Sequence, residues 1–335
     1  EPQFGLLLLC FGLGSIIAMP VTGFVATLHG PRSMVLLGGF GLVVFLPTLT
    51  IAETPFILGS FLFLFGASLG TIDVAMNIHG VAVEAEEKRS LMSSFHAQFS
   101  IGGLFGAGLM TLLLSVGVPL VLTAAIGATL ALLAMLLTIP RLLHVKVADQ
   151  STFVFPHGIV LLLGLLAAIA FLVEGAVLDW GALLVIELQL TAPQSAGVGY
   201  ILFSAAMVIA RLTGDLIVAA LGELWVLILG GIVTILGIAT VLLATLPLVA
   251  LVGFVLIGLG SANLVPIFFS VAGRQTVMPA SLAIASITTI AYSGVLVGPV
   301  MIGFAADLTS LPIAFWLLTL LVAVVPITAY LVVKN

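Results

Sequence analysis

The sequence predicts an all-α membrane protein whose eleven transmembrane helices form two pseudo-symmetric bundles. Three observations support this class: the composition, the spacing of long apolar runs, and an internal repeat. Of the 335 residues, 62% are hydrophobic and only 6% are charged. A soluble domain carries about 25% charged residues, so this chain has too little polar surface to face water on every side. We therefore expect lipid to surround most of it.

Eleven apolar runs are long enough to cross a bilayer core about 30 Å thick, which takes roughly 20 helical residues. Helices are required because lipid cannot satisfy a free backbone N–H or C=O group. Turn residues such as Gly30-Pro31 and Pro247 separate the runs. The predicted spans cover residues 4–28, 33–52, 55–83, 91–116, 118–140, 157–186, 195–221, 224–245, 248–272, 281–306 and 310–333.

The longest polar link, residues 141–156, separates a predicted five-helix bundle at residues 1–140 from a predicted six-helix bundle at residues 157–335. Alternation of the spans puts all basic residues outside them on one side of the membrane. The positive-inside rule makes that side cytoplasmic, so the linker and the C-terminus are predicted to be cytoplasmic. These basic residues are Arg32, Lys88, Arg89, Arg141, Lys146, Arg274 and Lys334.

An internal repeat relates the two bundles. A constant shift of 192 residues superimposes glycines and prolines over more than a hundred positions. The repeated unit has six helices, and both copies run in the same direction. The first copy begins at its second helix, so we expect one more helix before Glu1 and twelve in a complete protein. The matched pairs are Gly30 with Gly222, Gly38-Gly39 with Gly230-Gly231, Pro55 with Pro247, Gly66 with Gly258, Gly102 with Gly294, Gly106 with Gly298 and, after a one-residue gap, Thr22-Gly23 with Thr213-Gly214.

Five ionisable side chains lie inside the predicted spans, where such groups usually face a bundle interior or a water-filled cavity. Asp73 belongs to a stripe of small or polar residues on its helix. That stripe is typical either of a tight helix contact with a hydrogen-bonded Asp or of a cavity face with a protonatable carboxyl group, and we favour the second. The five are Asp73, Glu174, Asp179, Arg211 and Asp215, and the stripe is Gly59, Gly66, Gly70, Asp73, Asn77, Gly80 and Glu84.

Glu174 lies near the middle of its span, where desolvation disfavours a charged carboxylate. This position suits reversible protonation, so Asp73 and Glu174 are the predicted proton-coupling residues. A neutral Glu that joins two helices is the alternative. Trp180 lies nearer the outer end of the same span, either as an interfacial anchor or as a stacking surface for a substrate.

Polar residues at corresponding positions in two spans predict a shared central cavity. His96 and Ser100 match Thr288 and Tyr292 under the shift of 192. An unperturbed imidazole titrates near neutral pH, so a proton relay and a hydrogen-bonded packing histidine are both open for His96. The predicted substrate-binding residues are Asn77, His96, Ser100, Trp180, Asn263, Thr288 and Tyr292.

Two parallel six-helix repeats resemble the major facilitator superfamily of transporters. Residues 23–32 resemble that family's signature between its second and third helices, with Thr27 where the family usually has Asp. Within the superfamily, the chain resembles the bacterial fucose-permease-like branch, especially its YbjJ-type members. The segments that carry this likeness are Asp73-Val-Ala-Met-Asn77, Phe95-His96-Ala97-Gln98, and Glu174 followed by Asp179-Trp180.

The resemblance implies a major facilitator fold, alternating access, and a place in the bacterial inner membrane. It implies that Asp73 binds a sugar or a proton. Arg211 and Asp215 are four residues apart, which allows a salt bridge on one helix face. In the family such charges resemble a cytoplasmic gate that latches the outward-open state, so we assign gating to this pair rather than substrate contact.

The sequence therefore predicts a proton-coupled symporter of a small polar solute, such as a sugar or related metabolite. A proton-driven exporter is the alternative, although Gly106-Ala107 stands where many drug antiporters have Gly-Pro. An enzyme or receptor is less supported, since the histidines show no metal-site spacing and the spans use most of the chain. No cofactor or metal is predicted. The expected partners are the solute, protons and lipid, with no nucleic acid because the net charge is −5, and the chain is expected to be a monomer.

Overall fold

The computed structural model describes residues 2–144 and 154–334, with side chains from residue 6 onward. The described residues form thirteen α-helices and no strand, which confirms the predicted all-α class. In chain order the helices are α1 Pro2–His29, α2 Pro31–Thr48, α3 Pro55–Glu87, α4 Met92–Ser115, α5 Leu120–Thr138, α6 Ile159–Glu187, α7 Val198–Leu221, α8 Glu223–Leu242, α9 Pro247–Ser261, α10 Leu264–Arg274, α11 Ala280–Leu308, α12 Leu311–Val322 and α13 Val324–Lys334.

Eleven stretches of the described chain are long and apolar enough to cross a membrane. Two of these stretches contain two helices each, α9 with α10 and α12 with α13. The ends of all eleven stretches differ from the predicted ends of the spans by at most four residues. Large apolar side chains such as Leu216 and Ile327 are exposed on the outer faces, as a lipid-facing surface requires. Lys146 and most of the predicted linker lie outside the described residues.

The backbone confirms the internal repeat at the turns between spans. Gly30, between α1 and α2, has φ 77° and ψ 156°. Its counterpart Gly222, between α7 and α8, has φ 80° and ψ 154°. This region of positive φ favours glycine because a Cβ atom would be strained there. Pro55 and Pro247, also related by the shift, each begin a helix.

Helix packing repeats with the same spacing. A Cβ atom on Gly66 would collide with the carbonyl of Phe11, and one on Gly258 would collide with the carbonyl of Phe203. The two glycines differ by 192 positions, and so do the two phenylalanines that they touch. Each half therefore uses a glycine in the same place to bring two helices into close contact.

The repeat differs at one face of α4. In α11, Gly294 packs against Ala168 and Gly298 against Leu172, both on α6. Their counterparts on α4, Gly102 and Gly106, meet no atom of the described chain within 4 Å of a built Cβ. In the most apolar part of α4, 6% of the residues are buried, whereas the corresponding share in α11 is 39%. The two corresponding helices therefore differ in how closely they pack against the rest of the described chain.

The described residues divide into two compact units. Within the described ranges, the first consists of residues 2–86, 99–144, 154–156 and 276–289, and the second of residues 87–98, 157–275 and 290–334. The second unit has an apolar core in which Phe254 fills the space left by Gly181 and Gly199. The start of α4 belongs to the second unit and the start of α11 to the first, so the predicted bundles at residues 1–140 and 157–335 remain a prediction.

Candidate functional site

Asp73 and Asn77 lie one turn apart on α3, which is one continuous helix of 33 residues. The Nδ2 atom of Asn77 donates to the main-chain carbonyl of Asp73 at 2.9 Å and to its Oδ1 atom at 3.3 Å. Asn77 is 4% exposed, whereas Asp73 is partly exposed. No cation in the described part of the chain forms a salt bridge with Asp73. A single amide group therefore stabilises this carboxyl group inside a span.

The glycines of the stripe that contains Asp73 form a helix contact. Cβ atoms on Gly66 or Gly70 would collide with the backbone of α1 at Phe11 and Ser15. The Ser15 hydroxyl also donates to the Gly66 carbonyl at 2.8 Å. Gly66 and Gly70 therefore serve helix packing, as one of the two interpretations of the stripe predicted. These contacts do not determine the role of Asp73.

Glu174 of α6 forms an ion pair with Arg211 of α7, with 2.8 Å between Oε1 and Nη2. The arginine side chain is 6% exposed and the glutamate side chain 24% exposed. A salt bridge between Arg211 and Asp215 was the one that their spacing allowed. The spacing of four residues puts both side chains on one helix face, but the Arg211 side chain reaches α6.

A break between α9 and α10 lies beside this ion pair. The Nε atom of Arg211 donates to the carbonyl of Ala262 at 3.1 Å. In return, Nδ2 of Asn263 donates to the carbonyl of Ala210 at 3.2 Å. Asn263 is 6% exposed, and its Oδ1 atom has no hydrogen-bond partner within the described ranges. Two reciprocal bonds thus join α7 to the break.

Asp215 anchors the start of α4. Its Oδ1 accepts from the backbone N–H of Ser93 and its Oδ2 from that of Ser94, each at 3.0 Å. The Ser94 hydroxyl also donates to Oδ2. The first turn of a helix has unpaired N–H groups and a partial positive charge. The carboxylate accepts hydrogen bonds from two of these N–H groups, and its negative charge interacts favourably with the helix end.

Gly214 lets these parts approach each other. A Cβ atom there would collide with the Asn263 amide and would lie 2.7 Å from Cβ of Ser93. The repeat partner Gly23 makes the matching contact, since its Cβ would collide with Ala285, the counterpart of Ser93. The Thr-Gly pairs found by the repeat are therefore close-contact points between the ends of helices.

Three of the remaining predicted binding residues are half-buried: His96, Ser100 and Tyr292. The His96 ring stacks on Phe269, with 5.7 Å between ring centroids and 29° between planes. Tyr292 contacts the edge of Phe171 at a centroid distance of 6.4 Å. These aromatic contacts restrict the orientation of the two rings.

Thr288 and Trp180 make helix-packing contacts in this structure. Thr288 is 1% exposed, and its hydroxyl donates to the carbonyl of Ile284, one turn earlier, at 2.8 Å. The Trp180 ring packs against α11 beside Gly303. Both side chains are therefore held by helix packing here, and their predicted substrate contacts remain predictions.

Sequence reasoning missed Pro266 and the two serines at the start of α4. Pro266 is four residues after Ala262, and a proline inside an apolar span was the available signal of a break. Ser93 and Ser94 follow the loop after α3, where serine is typical of a helix start. Neither signal shows which distant side chain completes the contact.

A family model described as Major Facilitator Superfamily matches residues 1–276. The chain belongs to the major facilitator superfamily. It is 44% identical over 339 residues to an uncharacterized MFS-type transporter of Yersinia pestis, in an alignment that covers 100% of this chain and 88% of that protein. This family and fold are those of membrane transporters rather than enzymes.

Solved transporters with little sequence identity share the fold. The E. coli fucose:proton symporter FucP matches with a TM-score of 0.75 and 18% identity, over 98% of this chain and 90% of that one. The human organic anion transporter MFSD10 matches with a TM-score of 0.80 and 16% identity, over 97% of this chain and 83% of that one. The predicted likeness to fucose permeases is thus confirmed for the fold. Since the two proteins are named for different solutes, the fold alone does not select one.

Proposed function

We propose that this chain moves a small polar solute, such as a sugar or related metabolite, across the membrane by alternating access, together with protons. The observation that carries this proposal is Asp73, whose carboxyl group lies inside a span with one amide donor and no salt bridge to a described cation. A charged carboxylate is costly in such surroundings, whereas a neutral carboxyl group is tolerated. Proton binding and release at Asp73 can therefore bias an equilibrium between two conformations.

Glu174 is the weaker candidate for proton coupling, although the sequence ranks it beside Asp73. Its ion pair with Arg211 stabilises the carboxylate. Protonation of Glu174 would leave a buried guanidinium without its counter-charge, which is strongly unfavourable. We therefore assign coupling to Asp73 first, and to Glu174 the role of neutralising Arg211.

We assign solute contact to His96, Ser100 and Tyr292 because the repeat matches them as polar positions, and each side chain is half-buried and carries an imidazole or hydroxyl group. Such groups suit a hydroxylated solute, and the name of the fold neighbour FucP supports the same class. Asn77 and Asn263 are nearly fully buried and already donate to Asp73 and Ala210. They would bind solute only after a local rearrangement, which alternating access supplies.

We assign gating to Asp215 and the start of α4. In the predicted bundles, α4 belongs to the first half and α7 to the second. A carboxylate that holds the first turn of α4 can latch one conformation and release it in another. Arg211 contacts Glu174 and Ala262. In this proposal it affects the gate only indirectly, because it lies on the same helix as Asp215.

The proposed location is the bacterial cytoplasmic membrane, as a monomer with a cytoplasmic C-terminus. The basic loop residues support this orientation through the positive-inside rule. The bacterial relative supports the choice of membrane.

Uptake into proteoliposomes tests the proposed function. Purified protein is reconstituted and given an acidic outside solution, and a panel of labelled sugars, polyols and organic acids is offered. A gradient of about two pH units corresponds to about 100-fold accumulation at one proton per solute. Accumulation of a polar solute that collapses with a protonophore supports symport. Loss of preloaded solute under the same gradient would support the exporter instead, and no flux for any solute would contradict both.

A further inference from the structure

A proline creates the break beside the buried ion pair. Pro266 has no N–H group, and its ring crowds the carbonyl four residues earlier, which belongs to Ala262. Accordingly α9 ends at Ser261 and α10 begins at Leu264. Asn263 between them has φ −103° and ψ 2°, outside ordinary helical values. The carbonyl of Ala262 is thus deprived of its usual helical donor.

This carbonyl lies where water cannot replace the lost donor. Ala262 is 0% exposed, and a buried carbonyl without a partner costs about as much as a lost hydrogen bond. The Nε atom of Arg211 supplies the bond at 3.1 Å. The return bond from Asn263 to the carbonyl of Ala210 holds the two backbones in register.

We propose that Pro266 is a positioning residue, which frees the Ala262 carbonyl and so fixes the Arg211 guanidinium opposite Glu174. A guanidinium is planar, with its N–H groups in a rigid fork. Once Nε is held by Ala262, the direction of Nη2 is set, and Nη2 lies 2.8 Å from Oε1 of Glu174. Three helical elements, α6, α7 and the α9–α10 break, therefore share one arginine.

The consequence for transport deepens the proposed function and rests on it. A split helix can bend at its break, and a bend there would move the carbonyl that holds Arg211. Bending would then weaken the ion pair, and strengthening the pair would favour the unbent form. The positioning role itself requires no transport and can be tested in the absence of solute.

Carbodiimide labelling of Glu174 measures the ion pair directly. A carbodiimide adds to a protonated carboxyl group in apolar surroundings and rearranges to an N-acylurea, with all atoms retained, whereas an ion-paired carboxylate reacts slowly. Pro266→Ala restores an N–H group that competes with Arg211 for the Ala262 carbonyl. Alanine is the best helix former, so this variant should still fold. Pro20→Ala, which also removes a proline inside a helix, is the matched control.

Labelling of the peptide that contains Glu174 is quantified by mass spectrometry on purified protein. We expect at least a three-fold increase in Arg211→Gln and in Pro266→Ala, and no change in Pro20→Ala. Labelling of Pro266→Ala at the wild-type level, beside an increase in Arg211→Gln, would overturn the positioning role. An equal increase in Pro20→Ala would also overturn it, since it would indicate general loosening. No increase in labelling in Arg211→Gln would show that the ion pair does not protect Glu174, and would also overturn the proposal. A failed uptake screen would contradict the proposed function and leave this result unchanged.

Discussion

Asp73 and Glu174 are both acids inside spans, but their immediate partners give them different chemistry. Asp73 has the amide of Asn77, a neutral donor that serves both charge states of the carboxyl group. Glu174 has the guanidinium of Arg211, which stabilises only the carboxylate. We therefore propose proton exchange at Asp73 and neutralisation of Arg211 by Glu174.

The first prediction follows from the burial of Arg211. Glu174→Gln should lower the free energy of unfolding by about 3 kcal/mol, because a buried guanidinium then lacks its counter-charge. Unfolding in mixed micelles of increasing denaturing detergent measures the change. Glu87→Gln is the control, since its side chain and that of its partner Arg89 are 55% and 68% exposed and such surface pairs contribute at most about 1 kcal/mol.

The double variant Glu174→Gln, Arg211→Gln separates this explanation from simple loss of contact. Removal of both charges should recover part of the stability that the single variant loses. Equal stability of Glu174→Gln and the wild type would show that Arg211 does not depend on Glu174.

The residue scale is also where sequence reasoning was least successful. It identified Asp73, Glu174, Arg211 and Asp215 as notable because charges are rare inside spans. It could not identify their partners, because the Glu174–Arg211 pair joins residues 37 positions apart. Helical spacing says which side chains share a face, and only the packed fold says what that face meets.

Close helix contacts are made by glycines whose positions the repeat had marked. Gly214→Ala should destabilise the protein by about 1–3 kcal/mol, because a methyl group would collide with the Asn263 amide and crowd Ser93. Gly175→Ala should be neutral or slightly stabilising, since its Cβ meets nothing in the described structure and alanine favours helix. Thermal unfolding of the two variants in one detergent measures the difference. Similar losses at both positions would contradict this account of the packing.

The anchor at the start of α4 gives a prediction about accessibility. Asp215→Asn removes the charge that interacts with the first turn of α4, so it should weaken the latch and favour the inward-open form. A cysteine placed at Ser100, in a variant without Cys10, should then be labelled several-fold faster from the cytoplasmic side. Asp307→Asn, which changes an exposed acid at the end of α11, is the control. Unchanged labelling in Asp215→Asn would contradict the gating role of Asp215.

The break between α9 and α10 shows that an apolar pattern predicts a span but does not say whether the span is one helix or two. The sequence predicted one span at residues 248–272, and the span exists. Its division depends on Pro266, and prolines are tolerated inside membrane helices where neighbours satisfy the freed carbonyl. By contrast, α3 contains no proline after its first residue and remains one helix of 33 residues.

For the whole molecule, the physics of the bilayer made prediction reliable. The number and limits of the spans follow from length and hydropathy alone. The repeat followed from glycines and prolines, and the matching dihedral angles of Gly30 and Gly222 confirm it. The solute is not fixed by any of these, since it depends on a few polar groups placed by the packing of helices. The predicted bundle boundary remains a prediction.

The central claim is that Asp73 carries the coupled proton, and paired flux measurements test it most directly. Proteoliposomes with wild-type protein or Asp73→Asn receive a solute identified by the uptake screen, and proton entry is followed with an internal pH-sensitive dye. We predict that Asp73→Asn abolishes solute-driven proton entry and gradient-driven accumulation, while exchange of labelled for unlabelled solute continues, because the Asn side chain mimics the neutral carboxyl group. Asp307→Asn should behave as the wild type. Proton entry and accumulation at the wild-type level in Asp73→Asn would contradict the claim and make Asp73 a structural residue.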